Sequence, residues 1–413
     1  MLQRRKKYDH VLLLAVLAIV IVGVVMITSI GVPKSIRISA PDLAYPDCAD
    51  DAVDCYLVLK NHVVRVLFGL VAMLVAWKIN YRFWKKISFL FFLGAVGLLI
   101  FVLFAGDQNN TFATSWINVG AIPFIDSIQP SEIAKFGLVL YLSYFFTEKI
   151  SKEKMQHWNE GFLKFAIISG VVILPIMLQP DLGSTLVMAV TAVAIYWLAG
   201  ANWKHLAVGA LMAGMVAFVV VANVDYIKNR FSAFIFPDSE CVEEYCWQSR
   251  QANIAIGSGG LWGKGLTQGI QKSYWLPQAS DDFIFAASAE ELGFLRTALV
   301  VLLYALIAYR GLQIANHAPN KFAMLTAAGL TTWISSQAFI NIMVNTSLFP
   351  ITGITLPFMS YGGSSMVTTL LAVGVLLNIS KYTTQNAYSN DRRGYRGARR
   401  SQSGYSGRYQ RSY

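Results

Sequence analysis

The chain has 413 residues, 55% hydrophobic and only 14% charged, with a formal net charge of +11 at pH 7. A soluble domain carries about a quarter of its residues as charges, so this composition excludes one and leaves an all-α polytopic membrane protein. The excess of Lys and Arg is first a topology signal and only second a sign of an anionic partner.

Ten apolar segments are candidate spanning helices, several reaching the ~20 residues a span needs, at roughly 10–30, 63–79, 87–105, 132–147, 161–178, 183–199, 205–225, 291–309, 322–345 and 365–380. The first is too long and lacks a small-residue cleavage site, so it reads as a retained helix. Arg4, Arg5, Lys6 and Lys7 precede it, which predicts a cytoplasmic basic N-terminus, 1–9. With ten spans both termini are cytoplasmic. The cytoplasmic pieces, with the flanking Lys78 and Lys164, then hold 23 of the 34 Lys and Arg, and the outer loop 106–131 holds none.

Cys48, Cys55, Cys241 and Cys246 all fall in loops assigned to the outside, where disulfides persist. Four thiols allow three pairings; the local one, Cys48 with Cys55 and Cys241 with Cys246, is expected. Zinc is the competitor, but no His lies beside either pair. The acidic loop 41–54 reads as solvated outer surface rather than a calcium site.

At the outer helix ends sit polar motifs. Gln129, Pro130, Ser131, Glu132 and Lys135 open the fourth helix, with Ser131 placed to cap it. Glu132 and Lys135 are three apart and share a face. Asp181 lies between two apolar runs, and Ser360, Tyr361, Gly362, Gly363, Ser364 and Ser365 precede the last helix. Such clusters on one membrane side suggest a shared cavity. The segment 226–290 is predicted as a large outer loop, too long for a mere turn. Its glycines, with Arg230, Arg250, Lys264 and Lys272, suggest a diphosphate-binding surface; turns alone would also explain them. No Walker or dinucleotide fingerprint occurs, so no nucleotide site is indicated. Asp281, Asp282, Glu290 and Glu291 lie within eleven residues at the edge of the eighth span, suggesting chemistry, although acids also favour a helix start. The tail 383–413 is Arg-rich and low-complexity, expected to be disordered and to meet anionic lipid or a partner rather than nucleic acid.

Trp116-Ile117-Asn118, QPSEIAK at 129–135, QPDLGST at 179–185, IAIGSGGLWGKGL at 254–266, DFIFA at 282–286, EELGF at 290–294 and TGITLPFMSYGGSS at 352–365 occur in one order. With these the chain closely resembles the SEDS family (shape, elongation, division and sporulation), the RodA and FtsW peptidoglycan polymerases. The resemblance covers about residues 10–382, a single ten-helix membrane domain. It implies an inverting glycosyltransferase that polymerises lipid II at the outer face of the bacterial cytoplasmic membrane. It also implies work with a single-span class B penicillin-binding transpeptidase and other divisome proteins. The family's essential Asp falls on Asp282, and its cavity residues on Glu132, Lys135 and Asp181. Two positions depart: Ser115 stands where an Arg often precedes Trp-Ile, and Asp281 where a Thr is usual, so Asp281 could share the role. Cations, from Lys or Arg or from a divalent Mg or Mn ion, would neutralise the substrate diphosphate. Thr355, the Gln271-Lys272 pair and the long tail favour the FtsW-like division type over the elongation type. A lipid II flippase is the alternative of another class, disfavoured because the notable acids cluster at the outer end.

Overall fold

The computed structural model describes residues 8–41, 47–105, 115–118, 127–236 and 243–383. The expected Arg-rich tail from 384 onward, most of the basic N-terminus and Cys241 lie outside the described residues. Among the described residues the regular structure is helical, apart from one two-residue antiparallel pair, β1 (Ile117–Asn118) with β2 (Ser127–Ile128). In order come α1 (His10–Ile30), α2 (Val32–Ser39), α3 (Leu57–Lys78), α4 (Tyr81–Ala105), α5 (Pro130–Glu148) and α6 (Lys152–Met155). A π-helical turn at Trp158–Phe162 leads into α7 (Leu163–Leu178), followed by α8 (Leu182–Leu198), α9 (Trp203–Asn223), α10 (Asp225–Ile235) and α11 (Glu243–Gly259). Then come α12 (Ile284–Asn316), α13 (Lys321–Asn345) and α14 (Gly363–Ser380).

A helix stands at each of the ten predicted spans. Seven helical stretches among the described residues are long and apolar enough to cross a membrane, and α8 is apolar but has 17 residues. The remaining two, α5 and α13, are the polar ones. The reason is position: both are buried along most of their length, including Thr326, Thr331, Gln337, Asn341 and Asn345 of α13. A helix surrounded by other helices faces protein instead of lipid, so its polar groups can be satisfied internally. At the other extreme, α9 exposes nearly all its apolar side chains, as a helix bathed in lipid does.

Helices α14 and α3 pack closely, since a Cβ on Gly374 would meet the Met73 carbonyl and one on Gly69 would meet Leu370. Small residues let two backbones approach, a main source of helix association where no hydrophobic drive exists. At one end of the bundle Arg310 pairs with Asp9 at 2.6 Å, Ser380 accepts from the Asp9 amide, and Asn378 accepts from the Tyr81 amide. These contacts gather the N-terminus, the α3–α4 turn and the end of α14 on one face.

Segment 226–290 is not an open loop. It forms α10, α11 and a chain of turns laid against α12. Gly293 has φ +78° and breaks α12, freeing backbone groups within a spanning helix, which must be satisfied by protein. The glycine-rich stretch does this. The amides of Phe294 and Leu295 donate to the carbonyls of Gly260 and Leu261, while the amides of Lys264 and Gly265 donate to those of Glu290 and Glu291. Any side chain at Gly263 or Gly293 would strike the opposing backbone, so these glycines serve close approach. Ser131 also differs from expectation. The helix starts two residues earlier, at Pro130 with Gln129 in the N-cap position, and the buried Ser131 hydroxyl caps nothing. Cys48 and Cys55 are joined, and Cys246 is disulfide-bonded.

Candidate active site

The polar motifs converge around the start of α12. The Tyr361 amide donates to the Ser280 carbonyl at 3.0 Å, fixing the Ser-Tyr-Gly-Gly turn against Asp281 and Asp282. Ser364 accepts from the Gln129 amide at 2.9 Å, tying the same turn to the start of α5. Ser360 accepts from the Leu356 amide, closing the turn itself. Gly362 and Gly363 keep it thin: a Cβ on Gly363 would come within 3.2 Å of the Arg65 guanidinium.

Asp282 sits at the centre. Its main-chain carbonyl accepts from the side-chain amides of Asn341 at 2.8 Å and Asn345 at 2.9 Å. Asn345 also accepts from the Ala286 amide in the first turn of α12, and Asn341 donates to the Ile354 carbonyl. These two asparagines, one helical turn apart, position the aspartate from behind. Its carboxylate accepts no hydrogen bond from any described residue, and Gly353, with φ +76°, passes close to Oδ2. Burial raises the Asp282 carboxyl, and the Asp281 carboxylate raises it further, with a smaller push from Asp181. Arg230 and Lys34 pull it down, and the result is pushed up to about 7.

Asp281 is different. Lys34 of α2 holds it at 2.5 Å, so its charge is committed. Lys34 and Arg65 both lie over the Tyr361 ring, 4.9 and 4.4 Å from its centroid, within cation–π range. Asp181 caps α8 through the Ser184 amide, while its second oxygen is buried without a partner. Glu132 and Lys135 form a buried ion pair at 2.7 Å. Lys135 also donates to Gln337, which in turn donates to the Thr355 carbonyl. Gln337, Asn341 and Asn345 thus form one stripe of α13 linking the ion pair to Asp282.

Of the four cations expected at a diphosphate, Lys264 and Lys272 are engaged elsewhere. Lys264 pairs with the buried Glu290 at 2.7 Å, and Lys272 with the buried Glu291 at 2.5 Å. Glu290 further accepts from the amides of Ile270 and Gln271, and Glu291 from Ser29 and the Thr267 amide. Here the two lysines organise the turns that seal the break in α12. Arg230, which donates to the Ile351 carbonyl at 3.1 Å, and Arg250 line a shared cavity of about 470 Å³ with Asn253, Ser347, Phe349, Pro350 and Ile351. Lys34, Arg65, Asn341 and Asn345 escaped the sequence reading. Arg65 is a lone charge inside an apolar run, and Gln337, Asn341 and Asn345 recur every four residues in another; both patterns were visible.

Among the described residues no three His, Cys, Asp or Glu side chains are grouped to hold a metal ion.

A bundle of spanning helices with polar and charged groups gathered between them at one end defines a polytopic membrane protein with a polar site built from several helices. The chain belongs to the cell cycle protein family of FtsW, RodA and SpoVE, whose model matches residues 9–385. It is 34% identical over 379 residues to the probable peptidoglycan glycosyltransferase FtsW of Geobacter sulfurreducens, covering 91% of this chain and 95% of that one. It is 38% identical over 332 residues to the stage V sporulation protein E of Bacillus subtilis, covering 80% and 88%. Among solved structures it resembles a chain from a study of polymerization and crosslinking by a peptidoglycan synthase complex. The TM-score is 0.71 at 25% identity, covering 91% of this chain and 98% of that one. It also resembles the rod shape determining protein RodA of Thermus thermophilus, with TM-score 0.63 at 25% identity, covering 91% and 97%.

Proposed function

We propose that the chain is a peptidoglycan glycosyltransferase that polymerises lipid II into β-1,4-linked glycan, with Asp282 as general base. The observation that carries this reading is the Asp282 carboxylate, free of hydrogen bonds, anchored through its backbone and ionising at about 7. A base is most effective when its pKa lies near the working pH. The acceptor's GlcNAc 4-hydroxyl gives its proton to Asp282 as its oxygen attacks the anomeric carbon of the donor's MurNAc. The bond to undecaprenyl diphosphate breaks, and its electrons leave with the diphosphate. One displacement inverts an α-linked diphosphate to a β-linkage. Arg230 and Arg250 are the cations best placed, by the cavity they share, to take the leaving diphosphate. Glu132 and Lys135 brace the site from α5 through Gln337 of α13, and Asp181 does so from the start of α8. The FtsW names of the relatives favour a septal role.

The test is polymerisation of purified lipid II by the purified chain, with glycan length read on gels. Its pH dependence gives a sharper check. Only the ionised Asp282 accepts a proton, so the rate should be present above its pKa and fall as pH drops through about 7. Asp281 raises that pKa and Lys34 lowers it; Asp281→Asn should therefore move the acid limb to lower pH and Lys34→Gln to higher pH. A limb that ignores both substitutions would remove Asp282 from the titrating role.

Ten spans would place both termini in the cytoplasm and 226–290 outside, the arrangement the basic residues favour. The single domain would run over 10–382. Cysteine-accessibility labelling that found 226–290 cytoplasmic would overturn it. The partner in this reading is a single-span class B penicillin-binding transpeptidase, which would supply the peptide crosslinking. Activity should rise on adding that partner, and a rate unchanged by it would count against dependence on the complex.

A further inference from the structure

A second cavity, of about 600 Å³, lies far from Asp282. It is formed by the start of α4 (Tyr81, Arg82, Lys85, Lys86), the end of α5 (Glu148) and the start of α13 (Phe322). Because α5 carries Glu132 near one end and Glu148 at the other, and α13 carries Phe322 near one end and Asn341 near the other, the cavity and Asp282 stand at opposite ends of the same helices. The separation along α13 is about 30 Å, the thickness of a bilayer core.

The charge here is unbalanced. Lys85 pairs with Glu148 at 2.6 Å. Arg82 and Lys86 have no side-chain hydrogen bond or ion pair among the described residues. Two uncommitted cations in one walled pocket form an anion site, and the guanidinium of Arg82 suits the paired oxygens of a phosphate. The walls say which phosphate. Phe89 lines the cavity and is 51% exposed, and Leu90 beside it is 72% exposed, so the pocket opens directly onto the lipid-facing side of α4. A soluble anion would gain nothing from that apolar margin, whereas acyl chains would lie along it.

We propose that this pocket binds the headgroup phosphate of an anionic phospholipid, with Arg82 and Lys86 as its ligands and Phe89 and Leu90 beneath its chains. The site is independent of the glycosyltransferase reading. Only the leaflet it occupies depends on the orientation proposed above.

Native mass spectrometry of the full chain in detergent, titrated with phosphatidylglycerol, tests this. Retained lipid should fall on the order of tenfold or more in the double variant Arg82→Gln/Lys86→Gln, since each cation near an anionic headgroup contributes severalfold. The exposed pair Lys152→Gln/Lys154→Gln, outside the cavity, should bind as the parent does. Phosphatidylethanolamine, net neutral, should bind weakly to all. Lys86→Gln alone, at an exposed side chain without a partner, guards against misfolding of the double variant and should still lose severalfold. Equal phosphatidylglycerol binding by parent and both Arg82 and Lys86 variants would overturn the proposal. So would full displacement of the lipid by inorganic phosphate, which would assign the pocket to a soluble anion.

Discussion

Asp282→Asn should lower lipid II polymerisation by about 10²–10⁴-fold, the usual contribution of a positioned base, while leaving the protein folded. Asparagine keeps the shape, and the contacts that hold this position run through its backbone carbonyl to Asn341 and Asn345. The carboxylate itself makes no hydrogen bond to lose. Stability should even improve at high pH. A carboxyl whose pKa is raised in the fold, here to about 7, is one whose ionised form the fold disfavours. That cost is absent below the unfolded value of 3.8, grows between 3.8 and about 7, and is full above 7. The Asn variant should therefore melt at or above the parent temperature at pH 8, with the gain vanishing in acid. Asp281→Asn should retain more activity, because Lys34 already commits that charge. Parental turnover by Asp282→Asn together with a dead Asp281→Asn would shift the assignment by one residue. Activity in both single variants and in the double variant would end the base reading.

Glu290→Ala should unfold or severely destabilise the chain, by about 3–5 kcal/mol, the cost of removing one partner from a buried ion pair. Glu290 is wholly buried and accepts from Lys264 and from the amides of Ile270 and Gln271. Truncation would leave a cation and two backbone donors facing a void. The turns that seal the break at Gly293 depend on those contacts, so the loss should spread to the spanning helix. The measurement is the fraction recovered as a monodisperse species after detergent extraction, with its melting temperature. Glu290→Gln, which keeps an acceptor but not the charge, should fall between. Adding Lys264→Met to Glu290→Ala should recover part of the loss, since the stranded ammonium is then gone. A Glu290→Ala protein as stable as the parent but inactive would instead make Glu290 part of the chemistry.

The order of the helices was legible in the sequence because hydropathy is additive along the chain. Each apolar run is priced against lipid whatever its neighbours do, and each predicted run carries a helix, including the two that meet at Gln179–Asp181. The pairing of Glu132 with Lys135 was legible too, since three residues of helix put both on one face. What only the tertiary structure decided is where each charge is spent. Lys264 and Lys272 look like diphosphate ligands in a glycine-rich stretch. Whether they face substrate or a buried glutamate depends on how that stretch folds back onto α12, and no local pattern encodes it. Asp281 and Asp282 are adjacent and chemically identical in sequence. Lys34, nearly 250 residues away, takes one, and Asn341 and Asn345 fix the other by its backbone, leaving its carboxylate free. Composition and periodicity set what each helix can bury. The distinction between a structural acid and a reactive one came from contacts between distant segments, where burial and the nearest opposite charge set the pKa.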